Sequence, residues 1–243
     1  MIQSHDLSLP RSNHIHLYAI NLSSYLTELK ERLTHLSGEE RKHAERLPQN
    51  HLYQRYVVQR SFLRETIGHY LKVNPQDIEF QYSKHGKPAI VASTDGLSFN
   101  ISHSEDVLVM AFGQNLSLGI DVEKLKLKLL EKIVRRFFSK SEAQAYFSAT
   151  EIQKMEVFYN CWTGKEAYLK ARGDGISLDL SSFSIESRLH LPPQLTSFWG
   201  DDKEISQWKF YRFKPCKGFI ATLVYPSIEV ELKLYSFPPN PAL

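Results

Sequence analysis

The sequence predicts an α+β fold built twice, each half a long amphipathic helix followed by an antiparallel meander of short strands. Two helical stripes carry this. Tyr53, Tyr56, Val57, Phe62, Leu63, Ile67 and Leu71 recur at spacings of three and four between His51 and Leu71. Ile152, Met155, Phe158, Tyr159, Trp162 and Leu169 do the same over 151–171 and predict one buried stripe. The third observation is a series of short strand-like runs after each helix, joined by turns such as Ser104 to Asp106 and Gly113 to Asn115 that are short enough for hairpins. The halves share little sequence, so the duplication is one of architecture, with the boundary expected between 1–115 and 116–243.

Taken in order, His14 to Leu22 alternates as a strand, with Ile15, Leu17 and Ala19 on one face. A helix is expected from a Ser23/Ser24 cap to about Leu36. Ser37 with Glu40 forms a capping-box pattern and starts another, which Pro48 closes. The helix over 51–71 carries Arg55, Arg60 and Arg64. Ile78 to Ser83 is a short strand interrupted by the turn KHGKP (Lys84 to Pro88). Strands at Leu97–Ser102, Val107–Phe112 and Ser117–Glu123 are expected to pair consecutively. In the second half, strands are expected near Ser182–Glu186, Trp208–Phe213, Gly218–Tyr225 and Glu229–Tyr235, and Pro238 to Leu243 reads as a poorly ordered tail.

Composition narrows the function classes. The 243 residues suffice for one large domain or two small ones, and a formal charge of +3 is too small to argue for nucleic acid. Cys161 and Cys216 have no paired spacing, which excludes a disulfide framework or a zinc site and reads as buried packing. No apolar run reaches the length of a membrane span, so a soluble, cytoplasmic protein is expected.

The chemistry-bearing stretch is WTGKEAYLKARGDG, Trp162 to Gly175. Glu166 and Lys170 share a helix face, and Gly173 and Gly175 supply the left-handed positions on which helices end. By spacing alone the pair is a surface ion pair. In the strand GIDVE, Asp121 and Glu123 point to the face opposite Ile120 and Val122, about 6.5 Å apart. Gly119 on that face is expected to leave room above them. Two hard carboxylates beside open space suit Mg²⁺, which completes its octahedron with water and phosphate oxygens. Consecutive pairing brings Ser102 and His103 to the same sheet edge. Lys87, in a Gly-Lys-Pro turn, otherwise reads as a solvated turn lysine.

GKP at 86–88, FNISHS at 99–104, GIDVE at 119–123, RFFSKSE at 136–142 and WTGKEAYLKARGDG at 162–175 together resemble the Sfp-type 4′-phosphopantetheinyl transferases, in order and spacing, over most of the chain. The resemblance implies a pseudo-two-fold protein with its active site between the halves. It implies transfer of phosphopantetheine from coenzyme A to a serine of an apo acyl or peptidyl carrier protein, with Mg²⁺. It implies Asp121, Glu123 and Glu166 as metal ligands, Glu166 also as the base for the carrier serine, and Lys170 as the cation that neutralises phosphate charge. It implies His103 at the pyrophosphate, Ser102 near the 3′-phosphate, and Gly86, Lys87 and Pro88 on the adenine side. At one place the pattern departs from the family: Glu40 and His43 stand where family lysines hold the 3′-phosphate, leaving Arg46, Arg55 and Lys42 as replacements.

The basic run from Lys124 to Lys140, with Leu125, Leu127, Leu129, Leu130, Phe137 and Phe138 among the charges, is expected to dock the carrier within 124–147. The built-in pseudo-dimer favours a monomer. Two other functions fit parts of the pattern: a coenzyme A pyrophosphate hydrolase, with water as acceptor, and a non-enzymatic module whose basic run binds acidic membrane or nucleic acid.

Overall fold

The computed structural model describes residues 8–48, 50–91, 95–126, 130–173, 178–198 and 201–237. Strand β1 (His14–Asn21) leads into a 3-10 turn, Leu22–Glu28, and a short helix α1 (Leu29–Thr34). The single helix expected there is thus broken, and its cap is Asn21, whose side chain accepts the Ser23 amide. Helix α2 (Gly38–Arg46) begins on the Ser37/Glu40 capping box that the sequence predicts. The 21-residue helix α3 (His51–Leu71) comes next, then β2 (Phe80–Tyr82), β3 (Pro88–Ile90), β4 (Leu97–Ser104), β5 (Val107–Gln114) and β6 (Gly119–Lys124). The second half holds α4 (Glu131–Phe137), α5 (Lys140–Ser148), α6 (Glu151–Arg172), β7 (Phe183–Ile185), β8 (Leu195–Phe198), α7 (Asp202–Ser206), β9 (Trp208–Phe213), β10 (Phe219–Pro226) and β11 (Glu231–Phe237).

The layers run helix, sheet, sheet, helix. The first sheet has the order β11-β1-β5-β4 and the second β6-β10-β9. Every residue of β1 from His14 to Ile20 is buried because both its faces are covered. Tyr18 and Ile20 pack with Val58, Phe62 and Ile67 of α3, while Ile15, Leu17 and Ala19 meet Ile120, Val122, Ala221 and Leu223 of the second sheet. The outer face of the second sheet takes α6 and its neighbours, through Ile220 among Phe158, Tyr159 and Cys161 and through Val224 among Ala167, Tyr168 and Leu169. Each interface removes large apolar area from water, the main favourable term in folding.

Four further expectations are corrected. Strand β5 pairs with β4 but not with β6, which instead joins β10, so the consecutive three-strand meander is absent. Strand β11 does not extend a second meander; it crosses to the first sheet and pairs in parallel with β1, Leu17 opposite Leu234. Ile152, expected in the buried stripe of α6, is 90% exposed, because the whole first turn of the helix, Glu151 to Gln153, is exposed and burial begins only at Val157. Leu130 and Phe138, expected among the apolar residues offered to a partner, are 5% exposed core residues with Val134. Leu127, Lys128, Leu129, Gly175 and Pro238 to Leu243 lie outside the described residues. No helix among the described residues is long and apolar enough to cross a membrane.

Candidate active site

The site forms where β4, the edge of the first sheet, lies against β6, the edge of the second. The two strands make no backbone ladder. Asn100 Oδ1 accepts the Ile120 amide (2.8 Å), Ser102 Oγ the Val122 amide (3.3 Å) and Ser104 Oγ the Lys124 amide (3.1 Å). Three short polar side chains on one face of β4 thus replace the carbonyls a neighbouring strand would supply. Two of these hydroxyls also donate: Ser102 to Asp121 Oδ1 at 2.9 Å and Ser104 to Glu123 Oε2 at 3.0 Å. Ser102 and Asp121 therefore meet as expected, though by side-by-side parallel strands rather than by a meander. The signal was in the sequence: Asn100, Ser102 and Ser104 alternate in a strand otherwise facing the core.

Helix α6 brings the second set of groups. It runs from the Thr150/Gln153 capping box to Gly173, whose φ of 79° ends it. Gly119 lies directly under it. A Cβ there would stand 1.9 Å from the Ala167 carbonyl oxygen and 2.3 Å from the Ala171 amide nitrogen. Gly119 leaves no room above the carboxylates, contrary to the sequence reading; its missing side chain is what admits the helix backbone. That close crossing lets Lys170 Nζ donate to Asp121 Oδ1 at 2.8 Å and to the Ile120 carbonyl at 3.1 Å. The register of α6 is held from behind by Lys165, fully buried, which donates to the Leu180 and Phe183 carbonyls and pairs with Glu142 at 2.9 Å. Glu142 also closes the Ser139 capping box and accepts the Ile185 amide, which accounts for the RFFSKSE motif as structure around the site.

The turn residues close the other side. Gly86, at φ 79°, makes the tight turn between β2 and β3. Lys87 is no solvated turn lysine: its Nζ donates to the Lys170 carbonyl at 2.6 Å and the Leu118 carbonyl at 3.0 Å, tying the end of α6 to the start of β6. Burial lowers its pKa to about 8. A cavity of about 440 Å³ is lined by Gly86, Lys87, Pro88, Asn100, Glu166 and Lys170, with Arg60 and Tyr82 among its other walls. His103 is exposed beyond Ser102, and its pKa is lowered by desolvation and by Lys170 and Arg55.

Three carboxylates, Asp121, Glu123 and Glu166, act on one another here, with Lys170 among them and Lys126 beside Glu123. Asp121 is 6% exposed, and its Oδ2 is buried without a hydrogen-bond partner. Glu166 is pushed above the usual carboxylate range by desolvation, then by Asp121 and Glu123, with Lys170 opposing. Glu123 is also pushed above the usual carboxylate range, first by desolvation and then by the neighbouring negative charge of Asp121. Among the described residues no group of three or more His, Cys, Asp or Glu is gathered as a ready metal site. The donor chemistry nonetheless fits a hard divalent cation, since the unpartnered Oδ2 and two carboxylates held at unfavourable charge are what such an ion relieves.

The polar seam between the two sheets, with Glu166 and Lys170 of α6 laid across it, lies within stretches that match a known enzyme family. Residues 117–224 match the model of the 4′-phosphopantetheinyl transferase superfamily, and residues 23–115 that of the 4′-phosphopantetheinyl transferase N-terminal region. The chain is 30% identical over 223 residues to the 4′-phosphopantetheinyl transferase Sfp of Bacillus subtilis, covering 91% of this chain and 97% of that one. It is 36% identical over 169 residues to the 4′-phosphopantetheinyl transferase HetI of Nostoc sp., covering 68% of this chain and 71% of that one. The chain belongs to the 4′-phosphopantetheinyl transferase family. These relatives lend no support to a pyrophosphate hydrolase or a basic interaction module.

Proposed function

We propose that this transferase moves the phosphopantetheine group of coenzyme A onto a serine hydroxyl of an apo carrier protein, releasing 3′,5′-ADP. The observation that carries the reading is the buried Asp121, with one oxygen on Ser102 and Lys170 and the other free of protein partners, beside two glutamates of raised pKa. Asp121, Glu123 and Glu166 would hold Mg²⁺, which when bound would neutralise pyrophosphate charge. Glu166 takes the serine proton as the serine oxygen bonds to the β-phosphorus. Lys170 stabilises the charge that gathers on the leaving phosphate as the phosphoanhydride bond breaks. Ser102, its hydroxyl committed to Asp121, acts here as a positioning residue. His103 faces the pyrophosphate, and Gly86, Lys87 and Pro88 form the adenine side of the cavity.

The same reading treats the two halves as a pseudo-two-fold pair meeting at the site, and the protein as a cytoplasmic monomer. The carrier docks on 124–147 and the adjoining turn. Lys132, Arg135, Arg136 and Lys140 are exposed there, and the apolar contact passes to Phe147, 37% exposed under the Arg135 guanidinium, and Ile152. The test is intact-mass analysis of a panel of fatty-acid, polyketide and nonribosomal-peptide apo carriers with coenzyme A and Mg²⁺. One carrier gaining a single phosphopantetheine supports the reading; release of phosphopantetheine to water with no carrier modified overturns it.

A further inference from the structure

We infer that Glu105, at the turn between β4 and β5, is a built-in competitor for the carrier: it occupies Lys126 at the start of the docking segment, and a partner must be acidic enough to displace it. This rests on the carrier docking at 124–147. The turn is two residues long, Glu105 and Asp106 between the paired Ser104 and Val107. Glu105 stands at φ 51°, in the left-handed region that glycine, asparagine and aspartate ordinarily fill. A longer side chain held there at a cost in backbone energy points to what it reaches. Its Oε1 accepts the Lys126 ammonium and its Oε2 the Arg55 guanidinium at 3.4 Å, so one carboxylate lies between a cation of α3 and a cation that follows β6. Hydrogen bonding to Lys126 is the largest cause holding this carboxyl below its usual range, and Lys124 and Arg55 add to it.

Holding the segment in place does not require this contact. Lys126 is fixed through its backbone: its amide donates to Tyr159 Oη at 3.3 Å, and the neighbouring Leu125 amide donates to the Gly218 carbonyl at 2.8 Å. Arg55 keeps Asp106, whose Oδ1 accepts its Nε at 2.7 Å. Removing the Glu105 charge therefore leaves the segment and α3 where they are and frees the Lys126 ammonium. The side chains of the pair are 37% and 31% exposed, so an acid of a partner can reach the ammonium and take the place of Glu105. Farther along the segment the cations are held differently. The Arg135 and Arg136 guanidiniums lie 4.5 and 5.0 Å from the ring centres of Phe147 and Phe137, contacts that leave their charge open to a partner. Arg135 and Arg136 thus attract an acidic surface at full strength, while Lys126, close to the catalytic carboxylates, answers only to one that outbids Glu105.

The test is steady-state transfer with coenzyme A, Mg²⁺ and the apo carrier that gains phosphopantetheine fastest in the panel, at low and at high salt. In Glu105→Gln, which keeps the side-chain length, KM for the carrier should fall about 2- to 5-fold at low salt, the range for exchanging an exposed ion pair, with kcat and KM for coenzyme A unchanged. High salt should shrink the gain. Glu105→Asn, a residue suited to the left-handed backbone, should give the same gain. In a Lys126→Ala background the gain from Glu105→Gln should vanish. A carrier KM that stays or rises in both Glu105 variants makes Glu105 a support for Lys126, and a gain that persists without Lys126 makes it a diffuse charge; either result overturns the assignment. A wild type that modifies no carrier overturns the carrier reading and this inference with it, a different result from active transfer with an unmoved KM.

Discussion

Gly119→Ala tests whether the crossing of α6 over β6 builds the site. The added Cβ would meet the Ala167 carbonyl oxygen at 1.9 Å and the Ala171 amide nitrogen at 2.3 Å, both backbone atoms that no rotamer change can move. Restoring an ordinary contact of 3.4 Å requires the helix to retreat by about 1.5 Å. Lys170 would then lose its 2.8 Å bond to Asp121, and Glu166 would move with it. Overpacking of this kind costs about 1–3 kcal/mol, and misplacing reacting groups by about 1 Å costs on the order of 10²-fold in rate. Urea unfolding monitored by tryptophan fluorescence gives the first quantity, and transfer kinetics with saturating coenzyme A the second. The variant should lose stability and show a kcat lowered on the order of 100-fold. A Gly119→Ala protein with wild-type kcat and an unchanged unfolding midpoint would show that the close crossing of α6 over β6 does not build the site.

Three further outcomes rest on contacts in and around the site. Lys170→Ala should slow transfer and destabilise the fold by about 1–3 kcal/mol, because it leaves the Asp121 carboxylate buried without its cation; wild-type turnover of coenzyme A would remove Lys170 from the site. Stability should fall in acid through His16, which is 3% exposed, bonded to Tyr70 at 2.7 Å, and lowered to a pKa of about 4 by burial and then by Lys233 and His14. Its folded pKa is below the unfolded value of about 6.5, so its contribution is complete above pH ~6.5 and is lost as pH drops toward ~4, a change of about 3 kcal/mol; urea midpoints across that window should flatten in His16→Gln. Arg135→Glu should weaken apparent carrier affinity and its salt dependence while leaving coenzyme A binding unchanged, and a titration at low and high salt that shows neither would move docking to another face.

Local signals are legible in the sequence, and non-local ones are not. The Ser37/Glu40 box, the long α3 and the αL glycine ending α6 are fixed by contacts within a few residues, so their patterns suffice. The partnering of β6 with β10 and of β11 with β1 depends on contacts across much of the chain, for which strand patterns carry no address. Chemistry at the site is legible as residue types, because Asp121, Glu166 and Lys170 stand out in their motifs. Their setting is not. A glycine on a strand reads equally as open space or as close approach, and only the backbone of α6 over Gly119 decides.

In the proposed reaction Glu166 takes the serine proton at the carboxylate cluster around Asp121. Its most direct measurement is the single-turnover transfer rate of Glu166→Gln with saturating coenzyme A, Mg²⁺ and apo carrier, alongside coenzyme A binding by the same protein. Glutamine keeps the shape but cannot accept the proton, so the rate should fall by about 10²–10⁴-fold with the fold and coenzyme A binding retained. A rate within a few-fold of the wild type would remove Glu166 from the proton transfer and return Glu166 and Lys170 to the status of an ordinary ion pair on a helix face.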